Sequence, residues 1–474
     1  MILYYLALTV ICVLTIALFH RKVDVGFMVY LFVGAQLALT VHACANLHET
    51  ELVYFSYDAI GVILLVVLSI VTIPAIIHSR IYMDRHRTSP SARATYYSSL
   101  LLLIMAMSLG YLANHIAMTW VFTEITTLSA AMLVYHHRNK LALEGTWKYI
   151  FVCAISVTFI FIGILFLSLS LMHAGSNDLS YANLLNNSAN LDVFWLKLAF
   201  IFIFTGYTAK MGLFPMFTAG IDAKDKAPSP AGALLAAVLV NLGFIGIFRS
   251  YSIVSNTSVG QWSRIFMIAV ALITLFVATA YMIKVRNIKR LLAYSGIEQM
   301  AIVILGMALG RVGCYAAILH LVMHSFIKSG LFFHLGQLFR VYKSKMIENM
   351  GGYFSYNPFG ALVLLLGLFC ITAIPPSGLF ISEFMIFKTM IASGQYWLFA
   401  VVALLLTVLI WAFARIIFRI VFIPQETENK IDTPHISPWE SATQIVLFLL
   451  AIYIGYGTPS ILVNLINEAI TVIS

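Results

Sequence analysis

Charged residues are scarce in this sequence. Asp, Glu, Lys and Arg make up only 10% of its 474 residues, whereas hydrophobic residues make up 61%. Water-soluble globular chains carry about 25% charged residues, so this composition excludes a set of soluble domains. The net charge is +9, but the basic residues fall in short loops between apolar segments. The charge therefore does not indicate a nucleic-acid-binding surface.

The sequence also lacks the motifs that hold redox and nucleotide cofactors. Its five cysteines are scattered, and no two form a CxxC pair; they are Cys12, Cys44, Cys153, Cys314 and Cys370. This spacing argues against iron–sulfur clusters or structural zinc held by cysteine. A phosphate-binding glycine loop and a dinucleotide-binding fingerprint are absent too. We therefore expect no cofactor and no metal site in this chain.

Long apolar segments take up most of the sequence. About fourteen are long enough to cross a bilayer, so we predict an all-α polytopic membrane protein. The segments cover residues 2–19, 25–45, 57–79, 96–113, 115–135, 147–171, 193–217, 231–249, 265–283, 291–309, 313–339, 358–390, 397–421 and 441–466. The longest loops, 172–192 and 422–440, are too short to bury a core of their own. No basic residue precedes the first segment, so we expect no secretory signal.

Lysine and arginine cluster in alternate loops. Arg21, Lys22, Arg85, Lys284 and Lys343 mark loops that would share one side of the membrane if the N-terminus lies outside. Because basic loops stay on the cytoplasmic side, we predict that both termini face outward.

The segment from Trp195 to Pro230 holds a charged residue that lipid would not tolerate. Lys210 lies about one turn before Pro215, and a cation at that depth costs at least ~2.5–3.5 kcal/mol. Pro215 has no N–H group, so the helix must break or kink and free the carbonyl of Met211. Membrane carriers build ion sites from a buried charge beside a broken helix. The alternative is a lysine that extends its amine to the membrane interface.

Glu124 lies in the middle of the fifth apolar segment. A carboxylate there must face protein or water, and it usually has a cationic partner. Lys210 is the candidate partner at similar depth. The alternative is a protonated glutamic acid that makes a hydrogen bond between packed helices.

The eleventh segment carries three ionisable side chains in one row. His320, His324 and Lys328 are spaced i, i+4 and i+8, which places them on one helical stripe over about 12 Å. Such a stripe can hold water and pass protons, since histidine donates and accepts near neutral pH. Two alternatives remain. The His-x3-His pair could bind a divalent metal, although no third ligand is apparent, or the residues could make only interhelical hydrogen bonds.

The twelfth segment is interrupted by Pro375 and Pro376. These prolines release the carbonyls of Ile371 and Thr372, and Glu383 follows about two turns later, with Lys388 beyond it. The two broken helices, seventh and twelfth, stand five segments apart. Interrupted helices at matching positions indicate inverted repeats, so we predict two five-helix repeats. The predicted division is 1–95, 96–255 (segments 4–8), 263–423 (segments 9–13) and 424–474.

Four stretches resemble one family of membrane subunits. They are TAKMGLFPMFTAGIDAKDKAPSPAGALLAAVLVNLGFIGIFR, NIKRLLAYSGIEQMAIVILGMALG, LHLVMHSFIKSGLFF and PPSGLFISEFMIF. They are similar to the antiporter-like subunits of respiratory complex I, Mrp-type antiporters and group 4 membrane-bound hydrogenases. Within that family the sequence most resembles the large hydrogenase-4 component F-like subunit. The resemblance covers nearly the whole chain.

The resemblance implies a proton path through this chain. Glu124 and Lys210 match the carboxylate of the fifth helix and the lysine of the broken seventh. His320, His324 and Lys328 match the central polar axis, and Glu383 matches the terminal site; Asn241, Glu298 and Lys388 are auxiliary candidates. Asn241 stands near where relatives often carry a bridging lysine or histidine, so water must span that gap. The relatives' loop histidine is replaced by Lys224, which leaves proton uptake by a loop histidine without support.

The predicted function is therefore proton translocation, or sodium-linked translocation, by one subunit of a membrane oxidoreductase complex of a prokaryotic inner membrane. The resemblance implies partner subunits that carry iron–sulfur clusters or a nickel–iron site. Two alternatives stay open. One is a self-sufficient or Mrp-type Na⁺/H⁺ antiporter, and the other is a structural or coupling subunit of an inorganic-carbon uptake complex.

Overall fold

The fold is a bundle of long helices in a computed structural model that describes residues 1–86, 88–424 and 436–473. Thirteen helices in these ranges are long and apolar enough to cross a membrane. The all-α polytopic class predicted above is confirmed. The helices are α1 (Ile2–Phe19), α2 (Val25–Ala45), α3 (Ala59–Arg85), α4 (Pro90–Leu112), α5 (Ile116–Val134), α6 (Lys140–His173), α7 (Tyr181–Asn186), α8 (Val193–Met211), α9 (Thr218–Lys226), α10 (Ser229–Ala237), α11 (Leu239–Ser255), α12 (Gly260–Lys284), α13 (Ile288–Ala308), α14 (Arg311–Tyr342), α15 (Tyr353–Tyr356), α16 (Pro358–Ile371), α17 (Gly378–Ala392), α18 (Tyr396–Phe422), α19 (Trp439–Tyr456) and α20 (Ser460–Ala469).

The twelfth predicted span is divided into two half-helices. α16 has 14 residues and α17 has 15, and the link between them contains Pro375 and Pro376. Ile371 ends α16, and its carbonyl accepts a hydrogen bond from Gln299 Nε2 at 3.3 Å. The freed carbonyl predicted at this break is thus used by a polar side chain of α13. With this interrupted helix, the thirteen candidate spans in the described residues account for the fourteen that were expected.

The seventh span ends earlier than predicted. The expected boundary was 217, but α8 ends at Met211 because Gly212 adopts a left-handed conformation at φ +87°. The N–H groups of Gly212 and Leu213 both donate to the carbonyl of Thr208, which closes the helix. Glycine adopts this conformation without steric cost, so it terminates helices readily. Pro215 therefore lies in the loop between α8 and α9.

A third interruption was not predicted. The eighth span was expected as one helix over 231–249, but α10 and α11 are separated at Val238. Side chains satisfy the carbonyls that the break exposes: Tyr111 donates its hydroxyl to Val238 O at 2.6 Å, and Ser325 donates to Ala237 O at 3.1 Å. No proline or glycine marks the break, so the sequence gives no local signal for it.

Three spans form the centre of the bundle. The apolar windows of Ser229–Ser255, Ile288–Ala308 and Arg311–Tyr342 are fully buried by other helices, whereas α1, α2 and α18 are only one-third buried. α8 approaches α11 closely, because a Cβ at Gly243 would lie 2.6 Å from the backbone nitrogen of Met211. Since the central helices do not face lipid, they can carry polar side chains that the outer helices cannot.

Residues near both ends of the described chain lie on one face of the bundle. The amino group of Met1 pairs with Glu51 at 2.9 Å, beside the short antiparallel strands β1 (Thr50–Glu51) and β2 (Phe55–Ser56). His48 of the same loop lies 3.6 Å from Glu468. The last predicted span, 441–466, is wrong as one helix, because the chain breaks at Gly457 and Pro459 between α19 and α20. The repeat boundaries at 96, 255, 263 and 423 stay a prediction.

Candidate functional site

Lys210 is held inside the protein at the end of α8. Its side chain is 4% exposed, and its ammonium donates to Thr127 Oγ1 at 2.7 Å. The hydroxyl of Tyr149 lies 3.5 Å from the same ammonium, and the Tyr149 ring centroid is 5.6 Å away. The amine therefore does not extend to the membrane interface. Neutral hydroxyls and an aromatic face surround it, which lets the lysine gain or lose a proton without breaking an ion pair.

Glu124 is a neighbour of Lys210 but not its contact. It lies one turn before Thr127 on α5, and its Oε2 is buried with no hydrogen-bond partner among the described residues. No ion pair within 4.0 Å joins Glu124 to Lys210 in the part of the chain that the structure describes; the lysine bonds to Thr127 instead. Glu124 and Lys210 therefore interact through their charges without a direct hydrogen bond in the described residues.

Lys328 lies at the centre of the bundle on α14. It is fully buried and donates to Ser295 Oγ of α13 at 2.7 Å. Glu298, one turn further along α13, interacts electrostatically with Lys328. This carboxylate was only an auxiliary candidate from sequence, yet it faces the central lysine as Glu124 faces Lys210. The two sites therefore share one plan, a lysine bonded to a hydroxyl with a carboxylate nearby.

His320 joins α14 to both α13 and the broken helix. Its Nε2 lies 2.6 Å from Gln299 Oε1, and its Nδ1 lies 2.9 Å from Ser382 Oγ. Gln299 in turn donates to both carboxylate oxygens of Glu298, at 3.0 and 2.9 Å. The result is a continuous chain of hydrogen-bonding groups from Glu298 to Ser382, which immediately precedes Glu383.

Glu298 and Glu383 line the same small cavity. Its volume is about 20 Å³, and its wall includes Ser295, Gln299 and the exposed backbone end at Ile371 and Thr372. A cavity of this size has room for about one water molecule, and its polar wall offers that water several partners. The break between α16 and α17 therefore borders a cavity that could hold a water molecule near both carboxylates.

His324 and Lys224 fill the region between the two lysine sites. Neither ring nitrogen of His324 has a hydrogen-bond partner among the described residues. Lys224, on the short helix α9, is 5% exposed and has no acceptor in those residues, and its charge acts on both His324 and Lys328. Asn241 donates to Ser325 at 3.1 Å. Asn241 therefore contacts α14 next to His324, whose surroundings also include the charge of Lys224.

Sequence reasoning did not identify Lys224 as a site residue. It stands in the polar run Asp222–Lys226, which is typical of a solvent-exposed loop. The one available signal was that a lysine replaces the loop histidine of related sequences. Only the packing of α9 into the bundle shows that this side chain is buried.

An ionic cluster centred on Asp225 fixes α9 in place. Asp225 is 1% exposed; Lys226 Nζ lies 2.8 Å from it, and Asn287 Nδ2 donates to it at 3.0 Å. Lys345 Nζ donates to the Asp225 carbonyl at 2.7 Å. Burial raises the pKa of this carboxyl, but Lys345 and Lys226 outweigh that effect and hold the pKa below its usual value. Because Asn287 and Lys345 lie beyond residue 263, the cluster ties α9 to the second half of the chain.

One predicted candidate lies apart from these groups. Lys388 is exposed on α17, and its side chain makes no hydrogen bond or ion pair with the cavity residues in the described ranges. The described residues contain no group of three His, Cys, Asp or Glu side chains that could hold a metal ion. The His320–His324 pair is therefore not completed into a metal site by any third ligand in those ranges.

Burial of Lys224 should give the free energy of unfolding an unusual pH dependence. Burial lowers the pKa of Lys224 to about 8, whereas an unfolded chain has a lysine pKa near ~10.4. Between these values the unfolded chain binds more protons than the folded chain, so stability rises with pH, by up to about 3 kcal/mol. When the pH is raised between these two pKa values, we expect the thermal unfolding midpoint to rise less in Lys224→Gln than in the wild type. Lys140→Gln, an exposed control, should keep the wild-type dependence, and identical curves for Lys224→Gln and the wild type would contradict the assignment.

These features define a class of protein. A polytopic helical bundle that brings interrupted helices to a buried row of ionisable side chains has the architecture of an ion-translocating membrane protein. The chain belongs to the NADH:quinone oxidoreductase/Mrp antiporter transmembrane family, whose model matches residues 113–409.

Individual relatives agree with this family. The chain is 29% identical over 348 residues to a hydrogenase-4 component F homolog of Methylacidiphilum infernorum, covering 72% of this chain and 73% of the relative. It is 24% identical over 456 residues to an NADH-quinone oxidoreductase subunit N of Nitrosomonas europaea, covering 91% and 90%. A chain of the membrane-bound sulfane sulfur reductase, an archaeal respiratory membrane complex, has the same fold, with a TM-score of 0.86 at 22% identity over 100% of this chain and 97% of that chain.

Proposed function

We propose that this chain translocates protons as the antiporter-like subunit of a membrane-bound oxidoreductase complex related to hydrogenase-4 and complex I. The observation that carries the proposal is the buried polar row itself: Lys210, Lys224, His324, Lys328 and Glu383 converge through the centre of the bundle. Burying so many ionisable groups costs stability, and within membranes such groups mark ion pathways. The family and its named relatives support the assignment.

The proposed route starts at Lys210, with Glu124 tuning its proton affinity through charge. The proton continues through water to the region of His324 and Lys328, and the ammonium of Lys224 carries it across the gap at Asn241. From Lys328 it reaches Glu298 by way of Ser295 and the enclosed water. His320, Gln299 and Ser382 then connect Glu298 to Glu383, from which the proton leaves.

The driving force must come from outside this chain. Moving one proton against 100 mV costs ~2.3 kcal/mol, and we expect no cofactor here to supply it. The proposal therefore includes partner subunits with iron–sulfur clusters or a nickel–iron site. It also places the complex in a prokaryotic inner membrane with both chain ends on the outer side, where the loops carry few basic residues.

The test compares the chain in its complex with the chain alone. Lumen acidification is measured in proteoliposomes that hold the purified complex, started with the electron donor that it oxidises, and in liposomes that hold the isolated chain under a sodium gradient. We expect redox-driven acidification by the complex and no exchange by the isolated chain. Sodium-driven exchange by the isolated chain would instead establish a self-sufficient antiporter. Electron transfer without acidification would establish a structural or coupling subunit.

A further inference from the structure

Three arginines meet in one open pocket on the outer surface of the bundle. Arg286 follows α12, and Arg415 and Arg419 lie in the last two turns of α18; Trp411 and Glu348 complete the polar part of its wall. The pocket volume is about 370 Å³. None of the three arginine side chains has an ion-pair partner or a hydrogen-bond acceptor within residues 1–86, 88–424 and 436–473, apart from the Trp411 ring, whose centroid lies 5.4 Å from the Arg415 guanidinium. Among the described residues, the wall of the pocket thus holds three cationic groups and one carboxylate.

The pocket lies where a lipid headgroup would lie. α18 is an outer helix, and Leu404, Phe418 and Phe422 are exposed on it at 66%, 42% and 54%. Trp411, Arg415 and Arg419 repeat every four residues, so they form a ladder about 12 Å long down one face. Tryptophan and arginine are typical of the membrane–water interface, and this end of α18 adjoins the basic loop at Arg286. The ladder therefore has the residue types expected where a helix passes from the hydrocarbon to the headgroup layer.

We propose that this pocket binds the phosphodiester headgroup of an anionic phospholipid, with Arg286, Arg415 and Arg419 as its ligands. Guanidinium groups match phosphate oxygens in charge and in fork geometry. Basic pockets between membrane helices on the cytoplasmic side bind anionic headgroups. The exposed side chains of Phe418 and Ile283 beside the pocket would contact the acyl chains. A lipid satisfies all of these groups at once, whereas free phosphate leaves the apolar ones uncovered.

The test measures lipid retention by native mass spectrometry. The delipidated complex is offered phosphatidylglycerol or phosphatidylcholine, and Arg415→Gln/Arg419→Gln is compared with Arg21→Gln/Lys22→Gln, which removes the same charge from an exposed loop. We expect the wild type and the loop variant to retain phosphatidylglycerol selectively, and the pocket variant to lose about tenfold or more of that retention. Arg286→Gln, in a loop outside the helix, repeats the test if the α18 variant does not assemble.

Four results would overturn the proposal. One is equal retention in the pocket variants and the wild type, and another is an equal loss in the loop variant. The third is displacement of the lipid by excess inorganic phosphate, which would define a free-anion site. Retention by the isolated chain but not by the assembled complex would also overturn it, because a partner subunit would then cover the pocket.

Discussion

Replacing Lys328 with methionine is expected to lower redox-driven proton translocation by about tenfold or more. Lys328 is fully buried, and within the described residues its one hydrogen bond goes to Ser295. Methionine keeps much of the side-chain length and packing but cannot bind a proton. Because the ammonium lies between the approach from Lys224 and the Glu298 cavity, its loss interrupts the route at its centre.

The measurement is lumen acidification per electron transferred, with the subunit content matched. Lys388→Met is the matched control, since that lysine is exposed on α17 and lies apart from the cavity. The control should acidify the lumen as the wild type does. Wild-type acidification by Lys328→Met in an assembled complex would remove Lys328 from the path.

The second large effect is expected at the two glutamates that line the small cavity. Glu298→Gln and Glu383→Gln should each lower translocation by about tenfold or more, because glutamine cannot carry a proton between the same atoms. The two residues line one cavity of about 20 Å³ and are connected through Gln299 and His320. Glu298 and Glu383 are therefore expected to carry the same proton one after the other. The double variant should translocate no more slowly than the slower single variant.

A double-mutant cycle on acidification rates checks this coupling, and Glu49→Gln in an exposed loop serves as the control. Losses that multiply in the double variant would mean that Glu298 and Glu383 act independently. In that case the hydrogen-bonded chain through Gln299 and His320 would not be the connection between them.

Much of the site could be predicted because lipid tolerates few polar residues. Lys210, Lys328 and Glu383 stand out in apolar segments, and the spacing of His320, His324 and Lys328 on one helix follows from the helical repeat alone. The prolines at 375 and 376 likewise predicted the break that exposes Ile371. Each of these features lies within a single segment, so it can be recognised without knowing how the segments pack.

The remaining features depend on contacts between segments. The interruption at Val238 is stabilised by Tyr111 and Ser325 from other helices, so no local residue indicates it. Lys224 is recognised only when α9 packs into the bundle. Glu298 was an auxiliary candidate from the resemblance, and its place in a cavity with Glu383 becomes visible only when α13 meets the broken helix. The end of α8 at Met211 is an exception, because Gly212, a residue that commonly ends helices, stands directly after it in the sequence.

The short helix α9 connects the two halves of the chain at the site. Lys210 with Glu124 and Lys328 with Glu298 are two similar lysine–carboxylate units, and α9 lies between them. Asp225 ties α9 to residues of the second half, while Lys224 on the same helix faces the central axis. A shift of this short helix would therefore alter the electrostatics around His324 and Lys328.

The most direct test of proton translocation through this axis is redox-driven lumen acidification by the complex carrying Lys210→Ala. It is compared with the wild type at equal electron-transfer rate and equal subunit content. The account predicts that acidification falls while assembly and electron transfer hold, because the buried ammonium begins the path. Unchanged acidification would contradict it, and Lys210 would then be a packing residue in a structural subunit.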